Sequence, residues 1–141
     1  MNSTKWDERF IELAKMVGSW SKDPSTQVGA VIVDEKNRIV SVGYNGFPQK
    51  ISDNERLKDR QTKYNVIVHA EANSILFANR DLSGCTIYTY PFQPCSSCSG
   101  LIIQSGIKRV VTVKCDNDRW RKDFITAETM LVEAGVNISY V

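Results

Sequence analysis

The chain has a single histidine, His69, among 141 residues. That scarcity excludes a three-histidine zinc centre and a two-histidine, two-cysteine finger, and any catalytic triad would have to run through His69. Long apolar runs are missing too, since no stretch approaches the roughly 20 apolar residues of a membrane span. The opening MNSTKWDERF lacks the apolar core of a secretory signal, so the expected compartment is the cytoplasm. No internal repeat, low-complexity tract or linker rich in Pro, Gly or Ser interrupts the chain, and its length suits one domain over 1–141. Neither sign of charge dominates. The balance of 18 Lys and Arg against 16 Asp and Glu leaves +2, too mild to mark a nucleic-acid or membrane binder. What is present is an ordinary globular composition, 42% hydrophobic and 24% charged. A chain of this size buries about two thirds of its unfolded surface and needs no disulfides to fold. Of the four cysteines, two stand as Cys95-Ser96-Ser97-Cys98, and without a secretory context metal binding is the better reading.

Trp6, Phe10, Leu13, Ala14 and Val17 recur at helical spacing, with Thr4 and Asp7 placed to cap that helix and Gly18 to stop it. After the polar, Pro-containing loop SWSKDPSTQ, residues 28–33 (VGAVIV) and 38–44 (RIVSVGY) read as a hairpin over a four-residue turn, Asp34 to Asn37. Residues 47–63 are polar and dense in charges of both signs, which predicts a solvated loop or short surface helix, or else a lid, regulatory or subunit-contact segment. The second half alternates: helix 70–78, strand 85–89, helix 96–104 ended by Gly106, strand 108–113, helix 122–134 ended by Gly135, strand 136–141. An opening hairpin followed by strand-helix alternation predicts an α/β fold. It is a three-layer α/β/α sandwich with a mixed central sheet of about five strands.

The chemistry concentrates in two motifs, His69-Ala70-Glu71 and Pro94-Cys95-Ser96-Ser97-Cys98. Each alone is weak. Together, each opening a predicted helix, they form the signature of zinc-dependent nucleobase deaminases. Residues two apart on a helix point to nearly opposite sides, so His69 and Glu71 can converge only if His69 precedes the first helical turn. Cys95 and Cys98, three apart, share a face of a first turn, where free N–H groups and the helix dipole favour thiolates. Three ligands, His69, Cys95 and Cys98, leave a fourth tetrahedral position for water, as in one catalytic zinc ion (Zn2+) per chain. Two thiolates and a neutral imidazole cancel the charge of that ion, so a base is needed beside it, and Glu71 is the acid next to a ligand. Cys85, in an apolar strand, reads as a core thiol, and Cys115 has no partners for a second site.

Beyond these motifs the chain resembles the deoxycytidylate (dCMP) deaminase family of the cytidine deaminase superfamily. The blocks that carry the resemblance are SKDPSTQVGAVIV (21–33), GYNGFP (43–48), TKYNVIVHAEANSILFA (62–78), GCTIY (84–88), PCSSC, LIIQSGIKRVV (101–111) and MLVEAGV. It implies a cytidine deaminase-like fold and hydrolysis of dCMP to dUMP and ammonia, feeding thymidylate (dTMP) synthesis. It carries His69, Cys95 and Cys98 over as zinc ligands and Glu71 as proton shuttle. Asn45 is implied as a sugar contact, Lys22, Ser25, Thr26 and Gln27 as neighbours of the 5′-phosphate, and Ala70 as a substrate contact. Phe92 and Trp120 are further candidates for the pocket wall. The resemblance also implies a homo-oligomer and dCTP and dTTP as effectors near residues 46–63. Two departures stand out: the Cys and His ligands of a second, structural zinc found in some members are missing, and the run Tyr90-Pro91-Phe92-Gln93 is longer and more aromatic than the common pattern. Two rivals are a deaminase of another cytosine nucleoside or nucleotide or of an RNA base, and a non-enzymatic zinc module.

Overall fold

The computed structural model describes residues 4–53 and 55–141. The first helix, α1 (Lys5–Gly18), begins on a capping box: Thr4 Oγ1 accepts the Asp7 N–H at 3.1 Å and the Asp7 carboxylate accepts the Thr4 N–H at 3.3 Å. Asp7 then turns inward to accept the Tyr88 hydroxyl at 2.7 Å and two Arg109 nitrogens at 3.0 and 2.7 Å, which pins the helix to the sheet. Burial alone would raise this carboxyl, but the hydrogen bonds from Arg109 and Tyr88 and the guanidinium charge outweigh it and hold Asp7 below its ordinary value.

Five strands follow: β1 (Gly29–Val33), β2 (Ile39–Tyr44), β3 (Thr86–Tyr90), β4 (Arg109–Thr112) and β5 (Asn137–Tyr140). They form one sheet in the order β2-β1-β3-β4-β5, with β1 antiparallel to both neighbours and β3, β4 and β5 mutually parallel. The helices α3 (Ala70–Ala78), α4 (Ser96–Ser105) and α5 (Arg121–Glu133) cover one face, where Ala30, Ile32, Ile87 and Val110 meet Ala70, Ile102 and Leu131. Helix α1 covers the other, where Val31, Val33, Tyr88 and Val111 meet Phe10, Ile11 and Ala14. Every residue of β1 is therefore buried, as a strand covered on both faces must be. The expected mixed five-stranded sandwich is what forms.

The strand and helix limits agree with the sequence reading to within one residue at each end. Gly106 and Gly135 end their helices with φ of +88° and +81°, the left-handed region that glycine enters without cost. Gly18 ends α1 as expected but without a positive φ, and a Cβ there would meet the backbone of Gly29 at 2.9 Å, so the pair also lets α1 approach β1 closely. The hairpin turn holds five residues, Asp34 to Arg38, because the Asp34 carboxylate accepts the N–H groups of both Lys36 and Arg38. The charged segment forms a 3₁₀ turn (Glu55–Lys58) and then α2 (Arg60–Val66), which extends past the predicted segment.

Gly43 on β2 is what lets the reactive end of α3 reach the sheet. A Cβ at this position would stand 2.6 Å from both the Ala70 carbonyl oxygen and the Ser74 nitrogen, so the first turn of α3 rests directly on the strand backbone. Gly43→Ala is expected to lower stability by about 1–3 kcal/mol, read as a drop in thermal midpoint, because the helix must shift to admit the methyl.

Candidate metal centre and pocket

His69 and Cys95 occupy equivalent places at the starts of two adjacent helices. His69 is the N-cap of α3 with φ −71° and ψ 154°, and Cys95 the N-cap of α4 with φ −70° and ψ 173°. Both backbones are still extended, the condition required for His69 and Glu71 to face one site. An isolated antiparallel bridge between Val68 and Gly46 fixes the approach to α3 and brings His69 beside Asn45. The entry to α4 is held from α5: the Asp123 carboxylate accepts the Ser96 N–H at 3.0 Å and the Ser96 hydroxyl at 2.6 Å. A carboxylate at a helix N-terminus is also favoured by the dipole.

The Sγ atoms of Cys95 and Cys98 lie 3.5 and 3.4 Å from His69 Nδ1, and the three donor atoms all fall within 4.8 Å of one another. A tetrahedral zinc about 2.3 Å from sulfur and 2.0–2.1 Å from nitrogen would hold such atoms roughly 3.5 Å apart. The donor set fits that ion in both chemistry and spacing. It is the one such cluster among the described residues, and it offers three ligands rather than the four of a closed structural site. The Cys98 hydrogen bond favours Cys95 as thiolate, so the Cys95 thiol is pushed down to about 4, against the burial that opposes charge. The same contact, with burial, raises Cys98. The hydrogen bond to Cys95 raises His69, outweighing the burial that would lower it.

Glu71, the second residue of α3, is only 3% exposed. Burial pushes its carboxyl up to about 7, opposed by its own N–H and the imidazole of His69. A group poised there suits a task of taking and returning a proton near neutrality.

A cavity of about 290 Å³ opens over this cluster, at the small end of the ~300–1,000 Å³ of ligand pockets. His69, Ala70, Glu71 and Cys95 line it together with Ser25, Thr26, Asn45, Phe92 and Trp120, so most of the expected substrate contacts share one pocket. Lys22 and Gln27 do not join them. Lys22 is exposed and pairs with Asp53 at 3.4 Å, while the Gln27 amide turns back to donate to the Ser21 carbonyl at 2.7 Å. Phe92 packs on Phe124, ring centroids 5.7 Å apart, and both line the wall. The sequence reading missed Asp23, Arg60, Lys63, Tyr64 and Arg119, which also line the pocket. Arg60, Lys63, Tyr64 and Ile67 follow the i, i+3, i+4, i+7 rhythm of one helical stripe, but a stripe mixing two cations with two apolar residues reads as surface. Arg119 donates to the Tyr64 hydroxyl and stacks over Trp120 at 4.8 Å. Cys85 is buried in the main core, as expected. Cys115 lines a separate open cleft of about 500 Å³ that shares Phe124 with the pocket but contains none of the metal-ligating side chains.

The chain is similar to known proteins. The family model of the cytidine and deoxycytidylate deaminase zinc-binding region matches residues 4–114. An uncharacterized deaminase in the luxG 3′ region of Aliivibrio fischeri is 48% identical over 98% of this chain and 95% of its own length. The deoxycytidylate deaminase of Pongo abelii is 41% identical, covering 94% of this chain and 77% of the relative. Among solved structures, the dCMP deaminase of cyanophage S-TIM5 in complex with dCMP and dUMP superposes with a TM-score of 0.81 at 25% identity, over the full length of both chains.

Proposed function

The chain belongs to the cytidine and deoxycytidylate deaminase family, and on that footing we propose that it hydrolyses dCMP to dUMP and ammonia. The observation that carries the proposal is the buried Glu71 beside a three-ligand cluster on the floor of a pocket lined by three cations, Arg60, Lys63 and Arg119. Similarity to the deoxycytidylate deaminases of Pongo abelii and cyanophage S-TIM5 supports the choice of substrate.

His69, Cys95 and Cys98 would hold one zinc ion, which when bound supplies a Lewis acid that acidifies water and neutralises developing negative charge. The chain's own residues do the rest. Glu71 takes a proton from the attacking water and delivers it to the ring nitrogen beside C4. As the C4–N bond breaks, the same carboxyl carries the proton that releases ammonia, and the ring keeps the oxygen as a carbonyl. Burial keeps that carboxyl near neutrality, so it both accepts and returns protons at low cost. Ala70 opens α3 with no side-chain cap on the helix, so its N–H is free to donate to the base. Phe92 and Trp120 wall the base, and Asn45, whose Oδ1 accepts the Val28 N–H at 2.9 Å, keeps a lone pair for the sugar.

The 5′-phosphate is assigned to Arg60 and Arg119 rather than to the 21–27 loop alone. The N–H groups of Ser25 and Thr26 already donate to Asp23, at 2.9 and 3.2 Å, so the loop's own anion sits in its cradle. Neither arginine forms an ion pair among the described residues, which leaves both positive charges uncompensated for a dianion. Arg119→Ala should raise KM for dCMP about tenfold or more, with a smaller change for unphosphorylated deoxycytidine. Steady-state rates on dCMP, CMP, deoxycytidine and dCTP check both this and the substrate assignment, and preference for an unphosphorylated or triphosphate substrate would overturn it. Run with and without free dCTP and dTTP, the same panel tests effector control, which we assign to the 46–63 segment because its end reaches the pocket. The product would feed thymidylate synthesis. Exposed Leu76 and Phe77 on α3 and Leu101 on α4 offer apolar surface for the proposed homo-oligomer. Thiolate ligands also favour a reducing compartment such as the cytoplasm; no described helix is long and apolar enough to cross a membrane.

A further inference from the structure

Helix α2 is placed over the pocket by a charge. Of its seven residues, Lys63 alone is buried, at 7% exposure, and no apolar side chain of the helix reaches the core. The Lys63 ammonium donates to Asp23 Oδ1 at 3.2 Å and to the Ser25 hydroxyl at 2.7 Å. Asp23, 5% exposed, is the hub of the opposite loop. Its Oδ1 also accepts the N–H groups of Ser25 and Thr26 and the Ser25 hydroxyl, and its Oδ2 faces the Asn45 amide at 3.4 Å. Asn45 in turn donates to the Thr26 carbonyl at 2.9 Å. Burial would raise Asp23, but these donors, Lys63 among them, hold it below its ordinary value. One ion pair therefore joins two elements forty positions apart: the loop that shapes the sugar end of the pocket, and the helix stripe that carries Arg60 and Tyr64 to it.

We propose that Lys63 is a positioning residue that latches α2 onto the Asp23 loop and so sets the sugar- and phosphate-facing side of the pocket. The proposal rests on the deaminase reading for its kinetic consequence but not for the latch itself. A buried ion pair adds little net stability over an apolar pair, yet removing one partner strands the other, so its value here is in fixing one geometry. The Glu71 side of the pocket is built on α3 and α4 rather than on α2. Loss of Lys63 should accordingly weaken substrate binding and spare the chemical step.

The test compares the zinc-loaded wild type with Lys63→Met, Asp23→Asn, the double variant and Lys58→Met, an exposed control on the neighbouring 3₁₀ turn. For Lys63→Met the KM for dCMP is expected to rise on the order of 10- to 100-fold, with kcat changed by less than about threefold. The double variant should be no worse than the worse single one, because the pair acts as a unit. Amide hydrogen exchange should quicken at Ser25, Thr26 and across 60–67 in Lys63→Met and remain unchanged in Lys58→Met. An unchanged KM, a loss confined to kcat, additive effects in the double variant, or unaltered exchange at Ser25 and Thr26 would each overturn the latch. Absence of dCMP turnover in the wild type would instead defeat the proposed function, and the exchange measurement would still decide on Lys63. Should Lys63→Met not yield folded protein, Lys63→Gln, which keeps a donor for Asp23 without the charge, carries the same measurements.

Discussion

Glu71→Gln is expected to keep one zinc per chain and to lose dCMP turnover by about 10²–10⁴-fold, the usual worth of a positioned general acid-base group. Glutamine has nearly the same shape, so it fills the buried space and leaves α3 in place. It cannot accept a proton from water or return one to the ring. The side chain is 3% exposed, which leaves little room for a substitute base at the same point. Metal content per chain and single-turnover rates check the two halves separately. A variant that holds zinc and still turns over at a near-normal rate would remove Glu71 from the mechanism. A variant that loses its zinc would make the carboxylate a structural support of the metal centre instead. The rival zinc-module reading predicts unchanged behaviour in any assay, because a binding module has no use for a proton shuttle.

Stripping the metal with a chelator is expected to abolish turnover, and one equivalent of zinc to restore it. The protein should also lose stability, by about 3–4 kcal/mol relative to zinc at 100–1,000 times its dissociation constant, because only the folded chain brings the three donors together. Those donors come from two helix starts, His69 on α3 and Cys95 and Cys98 on α4, so the ion would tie the two helices end to end. Cys98→Ala should reproduce both losses without a chelator, measured as metal content, thermal midpoint and rate. Zinc retained at full occupancy by that variant would mean a ligand set other than the three cysteine and histidine side chains. Binding should also release at least one proton, since Cys98, raised by burial and its contact with Cys95, must bind as thiolate.

Local chemistry made the metal centre legible. His69 and Cys95 each open a helix after an extended segment, and at an N-cap the backbone is extended, so His69 can face the same point as Glu71 two residues on. The Cys95-x-x-Cys98 spacing then sets both sulfurs on one first turn. The same local logic drew the strands and helices nearly to the residue, and helices on both faces of the sheet followed from the strand-helix alternation after the opening hairpin. Where it failed, the cause was distance along the chain. Gly18 does end α1, but only the crossing of α1 over β1 shows that the missing side chain is needed for contact with Gly29.

The charged residues divide in the same way. In the run from 47 to 63, acids and bases are interleaved, and no pattern says which charge will be buried, because a salt bridge depends on where its partner arrives in space. Lys22 had a phosphate-binding look from its neighbours, yet it pairs outward with Asp53, while Lys63, indistinguishable from Lys58 by pattern, is drawn under α2 to Asp23. Asp7 and Arg109 meet across 102 residues for the same reason. Helix starts, strand faces and ligand spacing depend on interactions within a few residues, and the amino-acid order alone decides them. The pocket's far wall, its cations and the latch beneath α2 depend on which distant segments the sheet brings side by side, and that was settled only by the packed chain.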